Sequence, residues 1–172
     1  MAQLSHIVTL EFIMSTQLNI YISQLSTPVG YVQVSANRNE ITAIQFADAA
    51  IVENESQLSA LGKRQLSEYF AGTRTQFDLP LAASGTDFQQ GVWQALMHIG
   101  YATTASYLDI AIAVGNRKAC RAVGAANAKN PIAIVVPCHR IIGTNGKLTG
   151  YAGGMSRKSF LLSLESSLEY VD

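Results

Sequence analysis

The hydrophobic pattern of this chain changes period near residue 85, and that change limits the folds open to it. Before it, LNIYISQL (18–25), GYVQVSA (30–36) and EITAIQFA (40–47) alternate apolar and polar residues, the two-residue period of half-buried strands. Thr27-Pro28 and Asn37-Arg38-Asn39 lie between them as turns. A stripe of Leu58, Leu61, Leu66, Tyr69 and Phe70 predicts a helix over about 54–70, ended by Gly72. FDLPLAAS (77–84) reads as a connection between domains.

After Gly85 the period becomes helical. Thr86-x-x-Gln89 and Ser106-x-x-Asp109 have the pattern of capping boxes, which satisfy free amides at a helix start. Phe88, Val92, Trp93, Leu96 and Met97 follow the first as an apolar stripe, and SYLDIAIAVG (106–115) follows the second. Gly115-Asn116 makes a tight turn before a basic helix over 117–130, which predicts a helix-turn-helix. PIAIVV (131–136) reads as a buried strand, residues 141–150 as a hairpin with Asn145-Gly146 at its tip, and 156–166 as a last helix with Phe160, Leu161 and Leu164 inward. The expected fold is α+β. An extension (1–14) precedes a small β-sheet and helix domain (15–84), and a mainly helical, winged-helix-like domain (85–172) follows.

Charge sharpens this division. The chain is formally neutral, yet residues 1–84 carry four Lys/Arg against seven Asp/Glu, and residues 85–172 carry eight against five. All eight of those bases fall within 110–158, which contains no acid, so one region presents a positive field of the kind nucleic acid attracts. RAVGAANA (121–128) adds small residues that suit close approach to a groove of DNA, or close helix packing in a core. No apolar run reaches the ~20 residues of a membrane helix, and residues 1–14 have no basic leader or cleavage site, so neither a membrane span nor a secretory signal is expected. Two cysteines form no disulfide framework and no zinc ligand set, which predicts a reducing, cytoplasmic setting and no metal.

Cys120 reads as a small apolar residue on a helix, whereas Cys138 stands in Pro137-Cys138-His139-Arg140 at the end of an apolar run. Pro137 should end the strand and leave the thiol at its terminus. A thiol attacks as thiolate, which positive charge or a base promotes, and His139 and Arg140 supply both within two residues. Neighbours in an extended segment point opposite ways, so His139 is expected to act on Cys138 through a water. Glu165 on the last helix is the expected acidic partner of the imidazole.

The segment NPIAIVVPCHRIIGTNGKLTGYAGGMSRKSFLLSLE resembles the active-site region of the 6-O-alkylguanine-DNA alkyltransferases, also called methylated-DNA–protein-cysteine methyltransferases. FQQGVWQAL and SYLDIAIAVGNRKACRAVGAANAKN are similar to the helices that precede it, so the likeness is dense over about 86–168. The resemblance implies direct-reversal repair. An alkyl group would pass irreversibly from 6-O-alkylguanine, or 4-O-alkylthymine, in double-stranded DNA to Cys138, once per molecule, with no cofactor and as a monomer. It makes His139 the base through water, Glu165 its support and Asn130 the brace of the turn between recognition helix and active site. It has Arg121 fill the gap left by a flipped nucleotide and Tyr107 rotate that nucleotide and bond the guanine edge. It gives Ala122, Gly124, Ala125 and Asn127 to the DNA-facing helix, and Tyr151, Ala152 and the carbonyls near Cys138 and Ile141 to the base pocket. Gly91, Gly100 and Leu108 depart from the family, which commonly has a basic residue, proline and glycine there.

Two other classes fit parts of the chain. A winged-helix regulator leaves PCHR and Glu165 unexplained, and a cysteine hydrolase usually draws its base from far along the chain.

Overall fold

A computed structural model describes residues 20–167; the expected extension (1–14) lies outside the described residues. Strands β1 (Tyr21–Thr27), β2 (Gly30–Ala36) and β3 (Ile41–Ala47) form an antiparallel meander. The first turn closes at Thr27↔Gly30, where Thr27 Oγ1 donates to the Gly30 carbonyl and Gly30 takes a φ of 102°. The second is an Asx turn: Asn37 Oδ1 accepts the amides of Asn39 and Glu40 at 2.7 and 2.8 Å. Alternation sends Val32, Val34 and Ala36 of β2 to the buried face.

Helix α1 (Gln57–Phe70) covers that face. It starts later than the apolar stripe suggests, because Asn54 is drawn into an antiparallel bridge with Ile22 and Ser56 caps the helix through a box with Ser59. Gly62 lets the helix approach: a Cβ there would lie 2.8 Å from Val34 Cγ1. The connection at 77–84 is tied down. Gln65 exchanges two 2.9 Å hydrogen bonds with the Asp78 backbone, and Leu81 bridges Ile41 in parallel.

Both capping boxes form, at Thr86 before α2 (Asp87–Met97) and at Ser106 before α3 (Tyr107–Ala113). Val92, Trp93 and Leu96 are buried, and the Trp93 indole donates to the Ala126 carbonyl at 2.9 Å. Phe88 and Met97, expected inward, remain 38% and 48% exposed, because the buried face of this short helix spans only its middle turns. Gly115, with φ 77°, turns the chain into α4 (Cys120–Ala128), completing the helix-turn-helix.

Ile132, Ile134, Val135 and Val136 are buried as expected, but residues 131–136 are not a strand. Ile132 bridges Ile44 of β3 in parallel, and then the backbone coils on itself. The Val135 amide donates to the Ala133 carbonyl at 2.8 Å around Ile134, whose φ is 70°. This is the rarer, strained γ-turn, in a β-branched residue that adopts it at a cost of roughly 1–3 kcal/mol. Pro137, at φ −82° and ψ 60°, makes an inverse γ-turn that closes Cys138 N–H onto the Val136 carbonyl at 2.8 Å. A continuous apolar run signals burial, not backbone conformation.

Cys138–Arg140 is therefore a short 3₁₀ helix rather than a strand end. The expected hairpin is absent too. Ile141–Ile142 (β5) pairs in parallel with Ala105–Ser106 (β4), and only the Asn145-Gly146 turn remains, closed by Gly143 N–H to the Lys147 carbonyl at 2.9 Å. Helix α5 (Met155–Ser167) ends the described chain, with Leu161 buried and Phe160 and Leu164 half-buried.

Two glycine substitutions should move stability in opposite directions. Gly91 lies inside α2 with nothing near a built Cβ, so Gly91→Ala should stabilise by about 1 kcal/mol. Gly62→Ala gains the same helix propensity but drives a methyl into Val34, a net loss of about 1–2 kcal/mol. Urea denaturation midpoints measure both.

Candidate active site

Cys138 is 5% exposed, and its sulfur is held from the helix-turn-helix side. Asn130, just beyond α4, donates through Nδ2 to Cys138 Sγ at 3.0 Å and to the Val136 carbonyl at 2.8 Å, while its Oδ1 accepts the Ile132 amide at 3.0 Å. One amide side chain thus fixes the coiled segment and aims a donor at the thiol. Burial pushes the Cys138 thiol up from its ordinary value; the Asn130 hydrogen bond, the nearby Tyr151 hydroxyl and the charge of Lys158 oppose it. The Tyr151 hydroxyl is buried near the sulfur, with no partner of normal hydrogen-bond geometry among the described residues.

Behind the thiol lies a fully buried ionic cluster. Glu165 Oε1 accepts His139 Nε2 at 2.8 Å, Tyr69 Oη at 2.7 Å and Arg140 Nη2 at 3.0 Å. Its Oε2 accepts Arg140 Nε at 3.0 Å and the Ala102 amide at 3.3 Å. Ala102 adopts a φ of 56° to present that amide. Burial alone would raise the Glu165 carboxyl, but the hydrogen bonds from His139 and Arg140 outweigh it and hold it at about 2. Burial pulls His139 below its ordinary value, against the pull of Glu165. An ionised carboxylate only accepts, so the neutral imidazole carries its hydrogen on Nε2, and its Nδ1 is a buried lone pair without a partner among the described residues.

Arg140 does not serve the thiol, contrary to expectation. It forks onto Glu165, donates to the Ile99 carbonyl at 2.6 Å and stacks over Tyr101. The basic side chain whose charge bears on Cys138 is Lys158, fully buried, with Nζ bonded to the carbonyls of Ile141 and Thr149; burial pulls its own value below the ordinary one. Sequence reasoning passed over Lys158 and Tyr69. Lys158, Leu161 and Glu165 recur on one face of α5, a spacing that would have placed the lysine inside. Tyr69 carried no such signal, because its aromatic ring already accounted for its burial.

A cavity of about 390 Å³ opens onto Cys138, lined also by Asn130, Tyr151, Ala152, Gly153 and Phe46. Its far wall comes from β3, where Arg157 lies 5.0 Å over the Phe46 ring and pairs with Asp48. Asn127 also lines this cavity, but it is buried and donates to the Cys138 carbonyl at 3.4 Å, so it braces the site rather than facing outward. Ile141 is fully buried, with its carbonyl engaged by Lys158, and does not line the cavity. Tyr107 stands at the start of α3 across from Gly124, its hydroxyl accepting from Thr149 Oγ1 at 3.1 Å. Arg121, Ala122 and Ala125 are exposed on α4. Of the eight bases in 110–158, Arg117, Lys118, Arg121, Lys129 and Lys147 are exposed.

Residues 87–167 match the family model described as 6-O-methylguanine DNA methyltransferase, DNA binding domain, and residues 20–83 match the ribonuclease-like domain of the same name. A methylated-DNA–protein-cysteine methyltransferase of Methanosarcina acetivorans is 46% identical over 86% of this chain and 99% of its own length. The Mycobacterium tuberculosis O6-methylguanine methyltransferase structure superposes with a TM-score of 0.80 at 41% identity, covering 89% of this chain and 96% of that one. The Mycobacterium tuberculosis OGT structure in complex with DNA gives 0.77 at 44% identity, covering 84% and 92%.

A carboxyl held below its ordinary value contributes stability above that value and loses it as pH falls. Glu165 should therefore contribute an acid-labile component that disappears between pH 4.5 and about 2. Glu165→Gln should remove that component and, by leaving Arg140 without a full counter-charge, cost about 3–5 kcal/mol at neutral pH. Denaturant titrations across this range test both statements.

Proposed function

This chain belongs to the 6-O-methylguanine DNA methyltransferase family, and on that premise we propose how its own residues carry out the repair. It is a methylated-DNA–protein-cysteine S-methyltransferase whose acceptor is Cys138. The observation that carries this assignment is the placement of Cys138 between an open cavity and the buried His139–Glu165 pair. Sulfur faces the space a base can enter, and the proton acceptor is kept from solvent behind it.

An alkyl group on guanine O6 is shielded inside the duplex, so the lesion must be flipped out, at a cost of a few kcal/mol. The exposed Arg121 offsets that cost by entering the vacated stack from α4, while Ala122 and Ala125 let the helix backbone approach the minor groove. Gly124 faces Tyr107, where a built Cβ would lie 3.6 Å from the ring, an ordinary contact. In the cavity Tyr151 and the Ala152 amide flank the guanine.

His139 Nδ1 then accepts the thiol proton through a water, and Glu165 stabilises the resulting imidazolium. Asn130 and Lys158 stabilise the thiolate. Sulfur attacks the alkyl carbon, the carbon–O6 bond breaks, and its electron pair stays on guanine. Tyr107 accepts a hydrogen bond from Thr149, which leaves its own hydroxyl hydrogen for that developing charge. The product is a thioether that no neighbouring group hydrolyses, so each molecule acts once. The protein works as a monomer without a cofactor, and the cytoplasm keeps its two cysteines as thiols. The same displacement extends to 4-O-alkylthymine.

Incubation with duplex DNA carrying one 6-O-methylguanine should add one CH₂ unit to the peptide containing Cys138, by intact mass and peptide mapping, and Cys138→Ala should remove the gain. Unmodified protein that still binds the lesion would instead make the chain a damage sensor. Arg121→Ala should weaken binding to the lesion duplex by about 1–3 kcal/mol, read by fluorescence anisotropy, while Cys138 still takes the methyl group from 6-O-methylguanine duplex at saturating protein.

A further inference from the structure

Among the described residues, one hydroxyl of the N-terminal domain reaches the buried ionic cluster behind Cys138. Tyr69 lies near the end of α1, far from the PCHR segment in sequence, and is fully buried. Its Oη donates at 2.7 Å to Glu165 Oε1, the same oxygen that accepts His139 Nε2 at 2.8 Å. Burial, then the Glu165 charge, holds the Tyr69 hydroxyl above its ordinary value, so it remains a donor. The ring is independently packed, edge-on to Phe70 and Tyr101 and tilted against Phe77. Ring and hydroxyl therefore have separable roles.

A carboxylate oxygen with a broad acceptor surface does not by itself fix where the imidazole sits. Arg140 holds both oxygens of Glu165 in a fork that sets the carboxylate plane, and the Ala102 amide bonds Oε2. The Tyr69 hydroxyl approaches Oε1 from another element and bonds the same oxygen that His139 uses. His139 then has one place to bond, which directs its free Nδ1.

We propose that Tyr69 is a positioning residue for alkyl transfer, acting from the N-terminal domain through Glu165 on His139. This rests on the assignment of His139 as the proton acceptor for Cys138. Because the hydroxyl touches neither substrate nor sulfur, it governs the chemical step and not DNA binding.

The test is single-turnover transfer from duplex DNA carrying 6-O-methylguanine, with the rate at saturating protein separated from the half-saturating concentration. Tyr69→Phe keeps the ring and removes only the hydroxyl. It should lower the saturating rate by about tenfold, the scale of one hydrogen bond to a charged group, with the half-saturating concentration unchanged. Ser23→Ala, which deletes the buried Ser23–Ser59 hydrogen bond of the same domain, serves as a control for stability. It should leave both quantities at wild-type values even where its melting temperature falls as far as that of Tyr69→Phe. The His139 imidazole nitrogen shifts should also move in Tyr69→Phe and not in Ser23→Ala. A wild-type saturating rate in Tyr69→Phe, or an equal loss in Ser23→Ala, overturns the proposal. Absence of transfer by the wild-type chain overturns the functional assignment and this inference with it.

Discussion

A single buried carboxylate organises this molecule. Glu165 takes hydrogen bonds from α1, from the turn before β4 and from both residues after the cysteine. Left alone in an apolar interior, an ionised carboxylate would cost several kcal/mol, so each donor is a condition of the others being there. The left-handed Ala102, the inward Arg140 and the buried Tyr69 hydroxyl follow from the need to satisfy it. The ionic cluster ties the sheet domain to the helical domain where dispersion forces alone would allow sliding.

The same economy governs the positive charges. Of the run of eight bases, half-buried Arg157 pairs with Asp48, and the other seven have two destinations. Arg140 and Lys158 turn inward, one neutralising Glu165 and the other biasing the thiol, while Arg117, Lys118, Arg121, Lys129 and Lys147 stay on the surface. Surface charges attract a polyanion at long range, whereas buried ones act over a few ångströms in a low dielectric and are insensitive to salt. One cluster in the sequence thus serves two kinds of electrostatics.

Much of this was legible in the residues, for identifiable reasons. The meander, both capping boxes and the helix-turn-helix follow from local chemistry, since period, caps and turn glycines act within a few positions. The likeness to known alkyltransferases pointed to the family that the whole-chain matches establish. What local reading missed was long-range. PIAIVV carries a strand's composition, yet its flanking prolines and its docking on β3 force two γ-turns. The IIGTNGKLTG segment has a hairpin's tip, but β4 competes successfully for β5. Arg140 beside Cys138 suggested a thiolate partner, and only the fold reveals that Glu165 claims it. Tyr69 was indistinguishable from any core aromatic until its hydroxyl had a neighbour.

The outer edge of β3 is filled by two visitors, Leu81 against Ile41 and Ile132 against Ile44. The second of these anchors the coil that carries the cysteine, so the sheet of residues 21–47 is the template on which Cys138 is set. Glu165 arrives only with the last described helix. The surroundings of Cys138 are therefore incomplete until α5 has been made. A copy cut short before α5 holds the cysteine but neither Lys158 nor Glu165 beside it.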